Sequence, residues 1–284
     1  MRLESSLRKY LMFDHKEQQG FMTLAIGADY LEMAYLQALS IKLVMPDARY
    51  CVAVDSDTQD LITDKQSQVF DYVRTVPDTD WPMEREPDLF SSSPFKETIK
   101  VEADLLFTRN VDHWWDALRL KPVVLATHCR NLQDQLVVDT GYRKFWVDNN
   151  LPNIYNGMMY FRFTREATEF FQLARTLYKH YNHIRDNVLI NCREERPSTD
   201  VIYALAAKMY GVENCTMPSL NYFNFVHMKP HIQGWTGSSK WTDTVMCETD
   251  PPILRINNIN QLNPVHYHVK EWCTQELIEQ YERA

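Results

Sequence analysis

The sequence predicts an α/β fold built on a largely parallel sheet. Three observations carry that prediction: short apolar runs of strand length, helical periodicity between successive runs, and turn residues at the junctions. The 284 residues, 45% hydrophobic and 24% charged, can bury one large core or two smaller ones.

The elements follow in order. Residues 20–27, GFMTLAIG, form an apolar run closed by glycine. A helical pattern follows through Leu31, Ala34, Tyr35, Ala38, Ile41 and Lys42, giving strand, turn and helix. After Pro46 and Asp47 comes a second strand, YCVAVD at 50–55, then a polar helix-like piece over 58–72 and a third strand at 73–76. Residues 78–93, with prolines at 77, 82, 87 and 94 around them, read as a loop bracketing a short helix. That loop leads into TIKV, a strand that ends at Glu102-Ala103-Asp104 ahead of the apolar Leu105, Leu106 and Phe107. Further strands are expected at 123–127 and 156–163, and a helix at 165–181 with Phe170, Phe171, Ala174, Leu177 and Tyr178 on one face. Another helix, capped by Ser198 or Thr199, runs to Tyr210 and stops at Gly211. Residues 219–263 are rich in Asn, Pro, Gly and Trp and read as an irregular cap crossing the site, before a closing helix at 271–283. One domain over 1–284 is the economical description, with a core at 20–215 and a variable lobe at 216–284.

Composition excludes several classes. The six cysteines have no CxxC spacing, which argues against a zinc ribbon or disulfide scaffold and for buried free thiols. The opening residues MRLESSLRKYLMFDHKE lack an apolar h-region, and no later segment is long and charge-free enough to cross a bilayer. A cytoplasmic protein without a membrane partner is therefore expected. A net charge of −8 weakens a nucleic-acid partner, although a local basic groove would be hidden in that sum.

In open α/β sheets, ligands bind beyond the carboxyl ends of the strands, so the residues that follow each strand should converge. Here those are Gly27 and Ala28, Asp55, Glu102 to Asp104, and Asn156 with Gly157. Two carboxylates one residue apart can hold a hard divalent cation while leaving positions open for phosphates. The same pair also fits a solvated strand-end turn. Asp200 either caps its helix or faces a ligand, and Asn156 is either a turn residue or a donor to a bound sugar. The stretch FVHMKPHIQGWTGSSKW, with His227, His231, Trp235 and Trp241, could stack an extruded base or simply pack its tryptophans onto the domain.

The phrase FKETIKVEADLLFTRNVDHWW resembles the Asp-x-Asp segment of GT-A fold glycosyltransferases, especially those of family 8. Four other pieces are similar to that family in the same order: FMTLAIGADYLEMAYLQALSIK, NIYNGMMYF, STDVIYAL and PVHYHVKEW. Five ordered motifs, spanning residues 20–272, are more specific than any one alone. SPFKETIKVEADLLF, VDHWW, NNLPNIYNGMMYF and FVHMKPHIQGW further resemble phrases of the family 8-like enzymes of tailed phages.

This resemblance implies a Rossmann-like GT-A fold, with a mixed, mainly parallel sheet flanked by helices and an irregular C-terminal lobe. It implies a retaining transferase that uses a UDP-sugar with Mn²⁺ or Mg²⁺. The core at 20–215 would bind nucleotide sugar and metal, and 216–284 would form an acceptor or lid region. Glu102 and Asp104 would bind the metal, with His266 or His268 as a further ligand, because the terminal signature lacks its glycine and offers two histidines. Ala25, Gly27 and Tyr30 would lie against the uridine, with Ala103 admitting the nucleotide. Lys270 would neutralise the leaving diphosphate, and Asp200 and Asn156 would serve the reacting sugar. The basic residue expected before the acidic strand has no clean counterpart, and Arg85 or Lys96 are the candidates. Glu102 itself departs from the usual Asp by one methylene.

The phage-like phrases imply hydroxymethylated cytosine in phage DNA as acceptor, glucosylated or arabinosylated in a host cytoplasm. A glycan or protein acceptor is the alternative. A nucleotidyltransferase would normally carry a glycine-rich phosphate loop, which IGADY lacks, and a non-catalytic module would bind UDP without turnover.

Overall fold

The structure, a computed structural model, describes residues 17–138, 141–217, 223–235 and 240–284. The opening sixteen residues, and 219–222 and 236–239 of the cap region, lie outside the described residues.

The first strand, β1 (Glu17–Leu24), leads through Gly27 into α1 (Ala28–Val44). Gly27 has φ 92°, a left-handed conformation that costs glycine little, so the chain can reverse there. β2 (Tyr50–Val54) is buried along its whole length, as a central parallel strand should be. The polar stretch after it is broken into a helical turn at Ser56–Gln59 and α2 (Asp64–Val69), which is opened by a Thr63–Gln66 capping box. β3 (Tyr72–Thr75) follows, then a 3-10 segment at Pro82–Asp88 in the proline-rich loop.

β4 (Phe95–Val101) begins earlier than TIKV and carries the acidic pair at its carboxyl end. β5 (Leu105–Leu106), α3 (Trp114–Leu118), β6 (Val123–Leu125), α4 (Lys144–Asp148) and β7 (Met158–Arg162) come next. The expected helix at 165–181 divides at His180 into α5 (Arg165–Lys179) and α6 (Tyr181–Asn187). Thr164 caps α5 by accepting from the Ala167 N–H. α7 (Thr199–Tyr210) ends at Gly211 as expected.

The central sheet runs β3-β2-β1-β4-β7-β6. β3, β2, β1 and β4 are mutually parallel, and β7 pairs antiparallel with both β4 and β6, so it alone runs against the others. α1 packs one face within the larger core, and α5 and α7 build a second core around Phe170, Phe171 and Tyr203 on the other face. This is a mixed, mainly parallel sheet flanked by helices.

The C-terminal part holds more regular structure than its composition predicts. β9 (Cys247–Asp250), β10 (Ile253–Ile256) and β11 (Ile259–Asn260) form an antiparallel meander. β8 (Val226–His227) and β12 (Val265–His266) form a small sheet with β5, in the order β5-β12-β8. The closing helix α8 (Gln275–Arg283) starts later than expected, because the Thr274 side chain accepts from Leu277 N–H and sets its first turn. No helix among the described residues is long and apolar enough to cross a membrane. All six cysteines are free; Cys51, Cys129 and Cys215 are buried and the other three only partly so.

Candidate active site

The loop that follows β4 is fixed by four residues from three parts of the chain. Gln37 of α1 donates from Nε2 to the Glu102 and Leu105 carbonyls at 2.5 and 3.0 Å, and its Oε1 accepts from Tyr50 at 2.8 Å. Ser40, one turn on, accepts from Phe107 N–H at 3.1 Å. Glu102 N–H donates to the Gly157 carbonyl at 2.9 Å, and Tyr267 N–H donates to the Asp104 carbonyl at 3.0 Å. With its backbone so satisfied, the loop presents Glu102, Ala103 and Asp104 to a cavity of about 430 Å³.

β12 brings the distant histidine to this loop. Its register places His266 opposite Leu105 on one side and His227 on the other. His266 Nε2 then lies 2.8 Å from Asp104 Oδ1 and 3.2 Å from Glu102 Oε2. Glu102, Asp104 and His266 each offer an atom within 4.8 Å of the others. His268 comes less close, its Nδ1 3.8 Å from Asp104 Oδ2.

The charges at this cluster are interdependent. Burial would raise the Asp104 carboxyl, but His266, by its charge and hydrogen bond, and His268 behind it hold it well below the usual carboxylate range. Burial pushes the Glu102 carboxyl up, against the opposing pull of Lys100 and His266. Burial works against His266, and the Asp104 carboxylate overrides it and raises the imidazole. Burial, reinforced by His266, pushes His268 down to about 2, and His227 likewise falls well below the ordinary imidazole range.

A second polar chain runs along the cavity wall. Lys100, only 1% exposed, sits 2.7 Å from Glu86 Oε1 and 4.0 Å from Glu102 Oε1, and donates to the Asn156 carbonyl at 3.0 Å. Glu86 Oε2 accepts from Asn156 Nδ2 at 2.8 Å. Asn156 N–H donates to Asp200 Oδ1 at 2.7 Å, and Arg143 donates to Asp200 Oδ2 at 2.7 Å. Arg143 is itself clamped between the rings of Trp146 and Tyr155, 3.9 and 4.4 Å from their centres. Asp200 is therefore held by Asn156 and Arg143, one bond to each oxygen, while still lining the cavity. Asn156 Oδ1 is buried with no partner among the described residues.

Of the expected site residues, Glu102, Ala103, Asp104, Asn156, Asp200, His266, His268 and Tyr30 line the one cavity. Ala25 is buried but absent from the lining, where Leu24 and Ile26 stand instead, as strand alternation requires. Gly27 shapes the turn and donates to Thr58 Oγ1 at 2.7 Å. Lys270 is exposed, with Nζ 4.0 Å from the centre of the Tyr30 ring at the cavity edge. Neither candidate for the missing basic residue is in the lining: Lys96 is exposed on β4, and Arg85 turns to Asp88 at 3.5 Å. Lys100, from inside the strand, and Lys229, just after β8, are the lysines of the lining. In the cap, Trp241 is 1% exposed and donates to the Tyr267 carbonyl at 2.5 Å, so it packs the domain and cannot stack a base.

Sequence reasoning missed Lys100, Glu86, Arg143 and Lys229. The alternation in TIKVEAD was the available signal for Lys100, since it puts Lys100 on the face of Glu102 and Asp104. Nothing local marks Glu86 or Arg143.

Neither a protein-family model nor a curated protein matches the sequence. Two solved structures of the galactosyltransferase LgtC are similar in fold. One, in complex with donor and acceptor sugar analogs, matches with TM-score 0.53 and 12% identity over 92% of this chain and 95% of that one. The other, an active-site mutant, matches with TM-score 0.52 and 13% identity over 93% and 94%. The likeness extends over nearly the whole of both chains and bears out the expected GT-A arrangement.

Proposed function

We propose that this chain is a metal-dependent glycosyltransferase that moves a sugar from a UDP-sugar to an acceptor hydroxyl. The observation that carries the reading is the meeting of Glu102, Asp104 and His266, the last 162 residues along the chain from Asp104, on the wall of a cavity beyond the carboxyl end of β4. Two carboxylates and an imidazole fit Mn²⁺ or Mg²⁺, and such an ion, when bound, supplies positive charge for the departing diphosphate.

The chain's own residues divide the remaining work. Tyr30 offers a face to the uridine, and Ala103 leaves the nucleotide room to approach the loop. Lys229 in the lining and Lys270 at the edge neutralise the phosphates. Asp200, oriented by Arg143 and the Asn156 N–H, faces the positive charge that develops at the anomeric carbon. Asn156 keeps one acceptor for a sugar hydroxyl. Lys100 takes the part sought for Arg85 or Lys96 by holding Glu102 and Glu86 in place. Phe225, His227 and Lys229 of the C-terminal lobe line the cavity and shield a bound donor from water.

Retention of configuration and the acceptor, hydroxymethylated cytosine in phage DNA, are supported by the family resemblance. The test incubates the full chain with Mn²⁺ and a UDP-sugar panel that includes UDP-glucose and UDP-arabinose, offering hydroxymethylated DNA, glycan and protein acceptors. UDP release with product mass on DNA nucleosides is expected, falling by about 10²-fold or more in Asp104→Ala. Absence of both transfer and donor hydrolysis, or an unchanged rate in Asp104→Ala, refutes the transferase; product on glycan or protein alone refutes the DNA acceptor.

A further inference from the structure

Three imidazoles meet where a carboxylate-rich site needs one. His227 and His266 are register partners on β8 and β12, and a nitrogen of each of His227, His266 and His268 lies within 4.8 Å of the others. His268 Nε2 is 2.9 and 3.4 Å from the two nitrogens of His227, and the His266 and His268 rings are 3.8 Å apart at their centres. Two imidazole nitrogens on one tetrahedral ion stand about 3.3 Å apart, given metal–nitrogen bonds of about 2.0–2.1 Å. The spacing therefore needs little adjustment to share a cation.

Two further features set this cluster apart from ordinary core histidines. His268 holds φ 57°, in the left-handed region that few non-glycine residues adopt and that histidine enters more readily than most, which turns its ring toward His227 and His266. His266 Nδ1 is buried with no partner among the described residues, although the residue is only 3% exposed. Apolar side chains would fill the same space without burying polar atoms.

Oxygen donors suit Mg²⁺ and Mn²⁺, whereas imidazoles favour borderline ions. We propose that His227, His266 and His268, with Asp104 alongside, form a nitrogen-rich site for a borderline transition-metal ion such as Co²⁺ or Zn²⁺ in preference to Mg²⁺. The proposal deepens the metal-site reading above and shares His266 and Asp104 with it.

The test is a titration of chelator-treated full-length protein with Co²⁺, read by its visible d–d absorption without any nucleotide sugar. A saturable band at one equivalent is expected, displaced by stoichiometric Zn²⁺ and resistant to about a thousand-fold excess of Mg²⁺. His268→Asn, which suits the left-handed backbone, and His227→Gln should each weaken binding by about ten-fold or more. Absence of the band, equal competition by Mg²⁺, or wild-type affinity in the folded variants overturns the proposal. His268→Asn decides the matter if the more buried His227→Gln does not fold, as judged by circular dichroism. A normal Co²⁺ titration with no sugar transfer would count against the transferase alone, and the reverse against this site alone.

Discussion

Lys100 sets the charge balance of the site from inside a β-strand. Its ammonium is shared among Glu86, Glu102 and the Asn156 carbonyl, with almost no water to help. Removing one partner of such a buried pair leaves a charge stranded, at a cost of about 3–5 kcal/mol, whereas replacing both with uncharged residues costs far less. Lys100→Met should therefore lower the urea midpoint strongly, and Lys100→Met combined with Glu86→Gln should recover much of the loss. A double variant as unstable as the sum of the single ones would show that the two side chains are not coupled. The acidic pair was legible in sequence because its two residues are neighbours. Lys100 was not singled out, because a lysine in a strand reads as an edge or surface residue until its partner from another segment is known.

At the scale of elements, the start of β7 ties the two halves of the site together. The Gly157 carbonyl holds Glu102 N–H, and a Cβ at Gly157 would stand 2.7 Å from the Phe225 ring and 3.3 Å from His266 Nδ1. Gly157→Ala must push either β7 or the Phe225–His266 layer outward, an overpacking that typically costs about 1–3 kcal/mol. The expected result is a lower urea midpoint with unchanged slope together with weaker metal binding, and Phe225→Leu should partly restore both. Loss of stability with fully retained metal affinity would argue that the strand start and the histidine layer move independently. β7 also shows where local patterning stops. Its apolar run was readable, but its antiparallel direction depends on which strands flank it. The meander of β9 to β11 was missed for a related reason: segments such as CETD alternate partly buried and exposed residues without an apolar run.

For the whole molecule, the site joins segments that are far apart in sequence, so a bound ion should stabilise the native state as a unit. A ligand at about a hundred times its dissociation constant adds about 2.7 kcal/mol, which for a chain of this size raises Tm by about 5 °C. Calorimetry with and without saturating transition-metal ion should find that shift in the wild-type chain and lose it in Asp104→Ala or with chelator. An equal shift in Asp104→Ala would place the ion elsewhere.

Strand and helix periods, the glycine turn after β1, the helix stop at Gly211 and the Glu102–Asp104 pair are consequences of short-range backbone and side-chain preferences, so the sequence alone determined them. The tertiary structure decided which histidine reaches Asp104, that His227 stands beside it, and that Lys100, Glu86, Asn156, Asp200 and Arg143 form one polar chain along the cavity. A charged side chain leaves water only where another segment supplies its counter-charge, and that pairing is created by the fold.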